Sequence, residues 1–400
     1  MVDRWNYCLL SSVCEEITSG GAAPQGDKYF INGKYPFVRV VDMGNLHGQK
    51  YMLQTRDLLN DVGAEKLRLF PSGTILFTKS GASLLLNQRA ILKVPMYVVS
   101  HIGCLIPNEA IISEWLYYWM KTVDFNIYAH ATTLPSLKLT TIKELRIPVP
   151  TIPEQERIVA WIEELFSQLD AGVETLKKTK AQLSVYRQAV LKEAFESVIP
   201  ESDTCNVEDV CKDIKVGIVI KPAQYYTSAD VGVRAFRSAN VREFAVNDSD
   251  WVYLTKAGHE ANLRSEIHTG DVLVVRSGYP GTACVVPPTY NGCNAIDILI
   301  AVPYAEKILP EYLCAYTNSP LGKRIIQEKK RGVAQAHFNV SGYSKTPIIV
   351  PCLETQKRVV AEIDSRLSLC DSIEQTVDAA LQQAETMRQS ILKDAFEGKL

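Results

Sequence analysis

Two long segments of the chain carry hydrophobic residues at helical spacing. Over 153–197 and 353–397 the apolar residues recur three and four positions apart, and neither segment contains a proline after Pro153. This spacing predicts two helices, each with a heptad-type seam. The predicted seam residues are Ile158, Ile162, Leu165, Leu169, Val173, Leu176, Leu183, Tyr186 and Val190, and then Val359, Ile363, Leu367, Cys370, Val377, Leu381, Ala384, Met387 and Ile391. A helix of this length spans roughly 65 Å, so it needs a twin or a partner protein to cover its seam.

The segments that precede the helices have a different pattern. Residues 1–151 and 198–351 contain short runs typical of β-strands, such as 272–275, separated by turns rich in glycine, proline and asparagine. Each also contains a helical stretch, at about 110–123 and 309–330. The pattern therefore predicts two mixed globular parts, each followed by a long helix.

The chain is an internal repeat. A shift of 197 residues pairs Cys8 and Cys14 with Cys205 and Cys211, and it pairs 73–81 with 270–278. Farther along, the shift becomes 201. We expect one four-residue difference in a surface loop between these two regions, because loops tolerate changes in length. A period near 200 is too long for a solenoid, so it indicates a duplicated domain with its connector. The predicted domain bounds are 1–151, 152–197, 198–351 and 352–400.

Composition places the chain among ordinary globular proteins. Hydrophobic residues make up 46% and charged residues 22%, which excludes disorder as the main state. We find no apolar run long enough for a transmembrane helix and no secretory signal at the start, so we expect a cytoplasmic protein. The ten cysteines form no C-x-x-C pair and are interpreted as reduced, mostly buried thiols.

Charge is distributed unevenly along the repeat. The whole chain has a net charge of −2, which argues against a protein whose overall positive field attracts polyanions. Residues 1–151 carry a net +3 and 198–351 a net 0, whereas 152–197 and 352–400 carry −2 and −3. The positive charge therefore lies in the globular parts and the negative charge in the helices.

A basic cluster marks the second globular part. Lysines and arginines over 323–331 lead into a polar loop at 332–339, and the equivalent loop at 129–138 is polar but chemically different. Lysine and arginine bind phosphates, while glutamine, asparagine and arginine read base edges. The alternative interpretation is a variable surface loop after basic residues that favour a helix C-terminus, and the residues themselves leave both open.

Familiar catalytic motifs are missing from the sequence. It contains no phosphate-binding P-loop, no G-x-G-x-x-G turn, no Asn-Pro-Pro-Tyr methyltransferase motif and no G-x-S-x-G elbow. The six histidines are scattered, without cysteine or carboxylate partners at metal or catalytic spacing. This pattern favours a binding protein without a metal site.

Several stretches resemble the specificity subunits of type I DNA restriction–modification systems. Residues 147–159 are similar to that family's I-P-[LIV]-P-x-x-x-E-Q-x-R-I-V motif, and 270–278 to its G-D-[IV]-L-[FV]-x-[RK]-S-G motif. The second copy of the former, 348–359, departs from the pattern at 352–355. The two helix ends, 187–196 and 388–400, also fit, and the order and duplication of these motifs cover the whole chain.

The resemblance implies an α+β fold. Two similar mixed α/β target recognition domains, 1–151 and 198–351, would be joined by two long antiparallel coiled-coil helices with a pseudo-two-fold internal repeat. Each domain would read one half of a bipartite target in double-stranded DNA. The helices would set the spacing of the half-sites.

The resemblance also implies partners and a division of chemistry. The helices would dock two modification subunits, which carry S-adenosylmethionine and methylate adenine, and restriction subunits would add ATP-driven translocation and Mg-dependent cleavage. This chain would be a non-catalytic subunit with no cofactor of its own.

Candidate contact residues follow from the loops, turns and helix motifs. For DNA contact we predict Lys79, Ser80, Arg89, His130, Thr132, Thr133, Ser136 and Lys138 in the first domain, and Arg276, Ser277, Tyr279, Lys329, Lys330, Arg331, Gln335, His337 and Asn339 in the second. For partner subunits we predict Gln155, Arg157, Arg187, Gln188, Gln356, Arg358, Arg388 and Gln389.

Two other classes of function stay open at this point. One is a coiled-coil scaffold whose globular parts bind peptides. The other is a free-standing DNA-modifying enzyme with an unfamiliar active site.

Overall fold

The structure is a computed structural model that describes residues 5–46, 49–128, 136–199, 202–330 and 338–400. The chain forms two units: one contains Met1–Leu176 and Ala379–Leu400, the other Lys177–Asp378. Each unit combines a mixed α/β part with segments of both long helices. The predicted fold class is confirmed, whereas the four predicted domain bounds stay a prediction.

In the first unit, short strands and helices precede the first long helix. Its strands are β1 Tyr7–Leu9, β2 Cys14–Ser19, β3 Tyr35–Val38, β4 Tyr51–Met52, β5 Asp57–Leu59, β6 Leu69–Phe70, β7 Ile75–Thr78, β8 Arg89–Leu92, β9 Met96–Val98, β10 Ile102–Pro107 and β11 Arg146–Pro148. Its helices are α1 Val40–Gly44, α2 Asp61–Ala64, α3 Ser113–Thr122, α4 Leu139–Lys143 and α5 Ile152–Glu196, of which α5 continues into the second unit.

Two sheets and a strand pair organise the first unit. One sheet has the order β2-β10-β7-β8-β4 and the other the order β5-β3-β9-β6, while β1 pairs with β11. The central strands β7 and β10 are buried along almost their whole length, since they carry continuous apolar runs and α3 packs against the sheet.

The second unit repeats this plan. Its strands are β12 Asp203–Asn206, β13 Cys211–Val216, β14 Tyr226–Thr227, β15 Val233–Phe236, β16 Val241–Arg242, β17 Ala245–Val246, β18 Val252–Leu254, β19 Val272–Val275, β20 Ala283–Val285, β21 Asn294–Ala295, β22 Ile298–Pro303 and β23 Pro347–Val350. Its helices are α6 Val207–Val210, α7 Lys256–Glu260, α8 Pro310–Asn318, α9 Pro320–Lys330, α10 Val340–Ser344 and α11 Leu353–Phe396, of which α11 continues into the first unit. The sheets have the orders β13-β22-β19-β20 and β14-β18-β15-β21, and β12 pairs with β23.

Strand register matches between the two units. Cys8 lies opposite Ile147 in the first unit, and Cys205 lies opposite Ile348 in the second. The internal repeat is therefore present in the backbone pairing as well as in the sequence.

The single four-residue difference that we predicted between the halves is wrong. In the first unit Ile75 pairs with Ile91, 16 positions later, whereas in the second Val272 pairs with Val285, 13 positions later. The second half is thus three residues shorter between these strands. The second half is then two residues longer before β22 and five residues longer between β22 and β23. The net difference of four residues is therefore the sum of three separate changes.

The C-terminal end of each long helix is buried in a globular core. In the first unit Phe396 is 6% exposed and its ring centroid lies 4.6 Å from that of Trp115. In the second unit Phe195 is 1% exposed and lies 5.2 Å from the rings of Tyr312 and Tyr316. The last residues of α11 therefore complete the first unit, and the last residues of α5 complete the second.

Ion pairs between the long helices show that they run antiparallel within each unit. In the second unit Arg187 contacts Asp371 at 2.7 Å and Lys180 contacts Asp378 at 2.6 Å, so numbers rise along one helix as they fall along the other. In the first unit Arg388 contacts Asp170. The shift of 201 relates Arg187 to Arg388 and Asp170 to Asp371, so the two contacts are equivalent in the repeat.

Most predicted seam residues are buried or half-buried. The exceptions are Tyr186 and Met387, which are 43% and 47% exposed. The hydroxyl of Tyr186 instead accepts a hydrogen bond from Nε of Arg366 at 3.3 Å, because a hydroxyl-bearing ring can lie at the edge of a helix pair. Among the described residues, no helix has the length and apolar content that crossing a membrane requires.

Phe396→Ala is expected to destabilise the first unit by about 3–5 kcal/mol, because it leaves a cavity beside Trp115. Hydrogen exchange should show lost protection in β1 and α3, while β12 and α8 keep theirs. Met387→Ala on the same helix removes a half-exposed side chain and should cost far less. Equal loss of protection in both units would contradict the assignment of Phe396 to the first core.

Candidate nucleic-acid interface

Two equivalent turns follow the central strands of the two units. Lys79-Ser80-Gly81 follows β7, and Arg276-Ser277-Gly278 follows β19. Gly81 has a φ of +78° and Gly278 a φ of +77°, a backbone conformation that favours glycine. The shared glycine therefore gives both turns the same shape, and the preceding basic residue and serine occupy equivalent places.

The first turn is held by a strand edge and a histidine. The amide of Lys79 donates to the carbonyl of His101 at 3.1 Å, and the amide of Leu137 donates to the carbonyl of Lys79 at 2.9 Å. Oγ of Ser80 lies 2.8 Å from Nδ1 of His101. Lys79 forms no ion pair with any residue that the structure describes, so its charge is not compensated locally.

The second turn has the same backbone contact but a different charge balance. The amide of Phe338 donates to the carbonyl of Arg276 at 3.1 Å, matching the bond between Leu137 and Lys79. The guanidinium of Arg276 lies 3.2 Å from the carboxylate of Asp297, and its side chain is only 15% exposed. Asp297 therefore neutralises the basic residue of this turn.

Asp297 and His101 occupy equivalent positions. Thr78 pairs with Ile102 in the first unit, and Val275 pairs with Ile298 in the second. Ile102 and Ile298 are therefore equivalent, and so are the residues that precede them, His101 and Asp297. Sequence reasoning missed this pair, because the uniform shift of 197 aligns His101 with Ile298. The changes in loop length described above move the correct partner by one residue.

Several predicted contact residues of the first unit lie at its surface. Lys79 and Ser80 are half-buried, and Ser136 and Lys138 are exposed. Ser136 also forms a β-bridge with Ser80, so the predicted loop and the predicted turn meet in the structure.

Arg89 is a correction. It is 4% exposed within β8, its guanidinium donates to the carbonyls of Gln88 and Val123, and it lies 3.8 Å from the ring centroid of Phe125. Burial lowers the pKa of Arg89 to about 9, which still leaves it charged at neutral pH. A guanidinium enclosed in this way stabilises the core and is not available for DNA.

The second unit exposes one of its predicted residues almost fully. Tyr279 is 85% exposed and Ser277 is half-buried beside it. Asn339 has a structural contact, because its side-chain oxygen accepts a hydrogen bond from the amide of Gly342 at 2.7 Å and so caps α10. Lys329 and Lys330 lie in the last turn of α9, where the structure describes the backbone alone.

The remaining predicted DNA contacts lie outside the described residues. These are His130, Thr132 and Thr133 in the first loop and Arg331, Gln335 and His337 in the second. Their assignment to DNA stays a prediction.

A cleft of about 1060 Å³ opens beside the second turn. Three elements line it: the β16–β17 hairpin with the residues before it, the turn after β19, and one face of α9. The lining residues are Ser238, Ala239, Val241, Arg242, Glu243, Val275, Ser277, Gly278, Tyr279, Pro280, Thr282, Lys323 and Gln327. The cleft thus combines apolar walls with hydrogen-bond donors and acceptors, and its charged side chains include both basic and acidic residues.

The first unit differs at the corresponding connection. Its longer connection from β7 to β8 contains a short 3-10 helix, Ala82–Leu86, in which Leu84 is fully buried in the same apolar cluster as Phe77 and Phe125. The second unit has three residues fewer there, and Gly281 instead packs against Ile326 of α9. The two units therefore differ in the connection that borders the cleft.

Two predicted partner-binding glutamines are corrections. Gln155 is fully buried; its side chain accepts from the amide of Ile112 and donates to the carbonyls of Ala110 and Pro150, each at 2.9 Å. Gln356 makes the equivalent three bonds in the second unit, each also at 2.9 Å. Both glutamines tie the start of a long helix to the globular part of the same unit, so their motif reflects folding.

Arg187 and Arg388 also have internal partners, namely the acidic residues of the opposite helix. The other predicted partner contacts remain accessible: Arg157, Arg358 and Gln389 are exposed and Gln188 is half-buried. In the described parts of the chain, no group of three or more histidine, cysteine or acidic side chains could hold a metal ion.

Comparison with known proteins gives a consistent result. Residues 3–184 match the family model described as type I restriction modification DNA specificity domain. The EcoKI specificity subunit of Escherichia coli K12 is 22% identical over 94% of this chain and 84% of its own length. The EcoBI specificity subunit of Escherichia coli is 25% identical over 69% of this chain and 62% of its own length.

A solved structure has the same fold. A chain from a structure on the complex assembly and conformational transition of the type I R-M system superposes with a TM-score of 0.79 at 18% identity, covering 99% of this chain and 98% of its own. The predicted resemblance is confirmed.

Gln155→Leu is expected to lower the free energy of unfolding by about 2–4 kcal/mol, because it removes three hydrogen bonds of a fully buried amide and leaves the buried carbonyl of Pro150 and two part-buried backbone groups without that partner. Urea denaturation measures the change. Gln389→Leu, at an exposed position, should change stability by less than about 0.5 kcal/mol. A Gln155 variant as stable as the parent chain would contradict the folding role.

Proposed function

We propose that this chain belongs to the type I restriction-modification DNA specificity family and is the subunit that selects the DNA target of such a system. The observation that carries the proposal is the repeated turn. One scaffold presents a basic residue, a serine and a left-handed glycine in both units, and different side chains surround it in each. Two similar scaffolds with different surroundings suit two half-sites of different sequence.

Each unit reads one half of a bipartite target in double-stranded DNA. Phosphate contacts position a protein on DNA, whereas base contacts specify the sequence. In the first unit Lys79 is suited to phosphate, and the exposed Ser136 and Lys138 lie next to the same turn. In the second unit the cleft beside Tyr279 offers groups suited to bases.

The long helices set the number of base pairs left unread between the half-sites and dock two modification subunits. Support comes from their exposed residues, which include Trp161 at 41% and Leu369 at 60% exposure, together with Arg157 and Arg358. Large exposed side chains among charged residues are typical of protein interfaces. The acidic balance of the helices disfavours direct contact with phosphate.

The chemistry belongs to the partner subunits. S-adenosylmethionine and the methylation of adenine are assigned to the modification subunits, and ATP and Mg to restriction subunits in a system that cleaves DNA. This chain is non-catalytic and acts in the cytoplasm on DNA. A coiled-coil scaffold with peptide-binding units is not favoured, because the relatives are named as specificity subunits and the family model describes a DNA specificity domain.

Matched seven-residue helical insertions, between residues 176 and 177 and between 378 and 379, test this function. They lengthen each long helix by about 10 Å while keeping the heptad phase. With modification subunits present, sequencing of methylated DNA should give a bipartite motif for the parent chain. The variant should give the same two half-sites with an unread spacer about three base pairs longer. A parent complex that methylates without a bipartite motif would exclude the proposal.

Lys79→Met and Arg276→Met are expected to behave differently. Lys79 has no internal counter-ion within the described chain, so its loss should weaken DNA binding uniformly and reduce the salt slope of log K by about 0.9. Arg276 is neutralised by Asp297, so its loss should change the salt slope less and stability more. Fluorescence anisotropy across a salt series measures both, and equal slopes for the two variants would contradict the difference in charge balance.

A further inference from the structure

A salt bridge forms part of the lining of the cleft in the second unit. Glu243 lies in the β16–β17 hairpin and Lys323 lies on α9, and Nζ of Lys323 donates to Oε1 of Glu243. The two side chains are 40% and 24% exposed, so both can be reached from the cleft. Residues 80 positions apart in sequence thus place an acceptor and a donor side by side.

A carboxylate in this position is unsuited to phosphate. Glu243 would repel the DNA backbone, and it also compensates the charge of Lys323, which reduces the ability of Lys323 to bind any phosphate without regard to sequence. The same two groups match base edges well. A carboxylate accepts hydrogen bonds from the amino group of cytosine or adenine, and an ammonium group donates to guanine O6 and N7.

The rim of the cleft supports contact with a large partner. Tyr279 projects from the turn with 85% of its surface exposed, and Arg242 is exposed on the opposite hairpin. A ring exposed to this extent is available for a thymine methyl group or for a base, and an arginine is available for phosphate. The cleft volume of about 1060 Å³ is sufficient to receive base-pair edges together with these side chains.

We propose that this cleft receives the base edges of the second half-site and that Glu243 and Lys323 are specificity-determining residues there. The proposal rests on the proposed function and adds to it the residues that choose the bases. Glu243 accepts from an exocyclic amino group, and Lys323, released from the salt bridge, donates to a purine acceptor of a neighbouring base pair. Without the cognate bases, the two side chains satisfy each other and Lys323 contributes little to non-specific binding.

Removing the carboxylate alone tests the role of the salt bridge. Glu243→Gln keeps the size of the side chain but can both donate and accept, and it leaves Lys323 uncompensated. The full chain with modification subunits should then methylate a motif relaxed at one or two positions of one half-site, with discrimination reduced about tenfold or more. The other half-site should be unchanged. Non-specific DNA binding should tighten, and its salt slope should rise by up to about one unit.

Glu328→Gln is the matched control. Glu328 also pairs with a basic residue of α9, Arg324 at 4.0 Å, but neither lines the cleft. Its methylation motif should equal that of the parent chain. If Glu243→Gln also gives the parent motif at both half-sites, the inference is overturned, while the proposed function stands.

Tyr279→Ala keeps the inference testable if a substitution at the salt bridge disturbs folding. The side chain is almost fully exposed, so its removal should leave the melting temperature unchanged. Relaxed sequence at the same half-site as Glu243→Gln supports the cleft as the reading surface. A Tyr279→Ala variant with the parent motif and the parent affinity counts against it. A parent complex that methylates DNA without any bipartite motif would instead refute the proposed function.

Discussion

Burial of the two long-helix ends is the constraint on which the rest of the structure depends. Most of the stability of a helix in a protein comes from packing of its apolar face. A helix of 45 residues therefore depends on the side chains that cover that face. Here Phe195 and Phe396 enter the cores of the second and first units, each among aromatic residues. Each unit therefore needs segments of both helices, and the first unit is complete only when the last residues of the chain are in place.

The repeat, the long helices and the family could be predicted from sequence because each depends on patterns along the chain. Apolar spacing defined α5 and α11, and the duplicated motifs indicated two similar units. The roles of Gln155 and Gln356 could not be predicted in this way. A glutamine in a repeated motif has the same sequence signature whether its amide faces a partner or its own backbone, and only the three hydrogen bonds decide between the two.

The candidate site was predicted less completely for a related reason. The turns Lys79-Ser80-Gly81 and Arg276-Ser277-Gly278 are continuous in sequence and were found. Glu243 and Lys323 were not combined, because β16 and α9 approach each other only in the folded unit. His101 and Asp297 were hidden by changes in loop length that compensate each other only in part and leave a displacement of one residue. The connection after β19, three residues shorter than its counterpart after β7, borders the cleft, and a uniform sequence shift does not reveal that difference.

The equivalent contacts Arg187–Asp371 and Arg388–Asp170 have a consequence for evolution. Each half of the chain supplies one arginine and one aspartate to the helix pair, and each receives the opposite charge from the other half. A half from another chain that carries the same two residues would meet complementary charges at both positions. An exchange of halves between two such chains would therefore preserve both of these contacts.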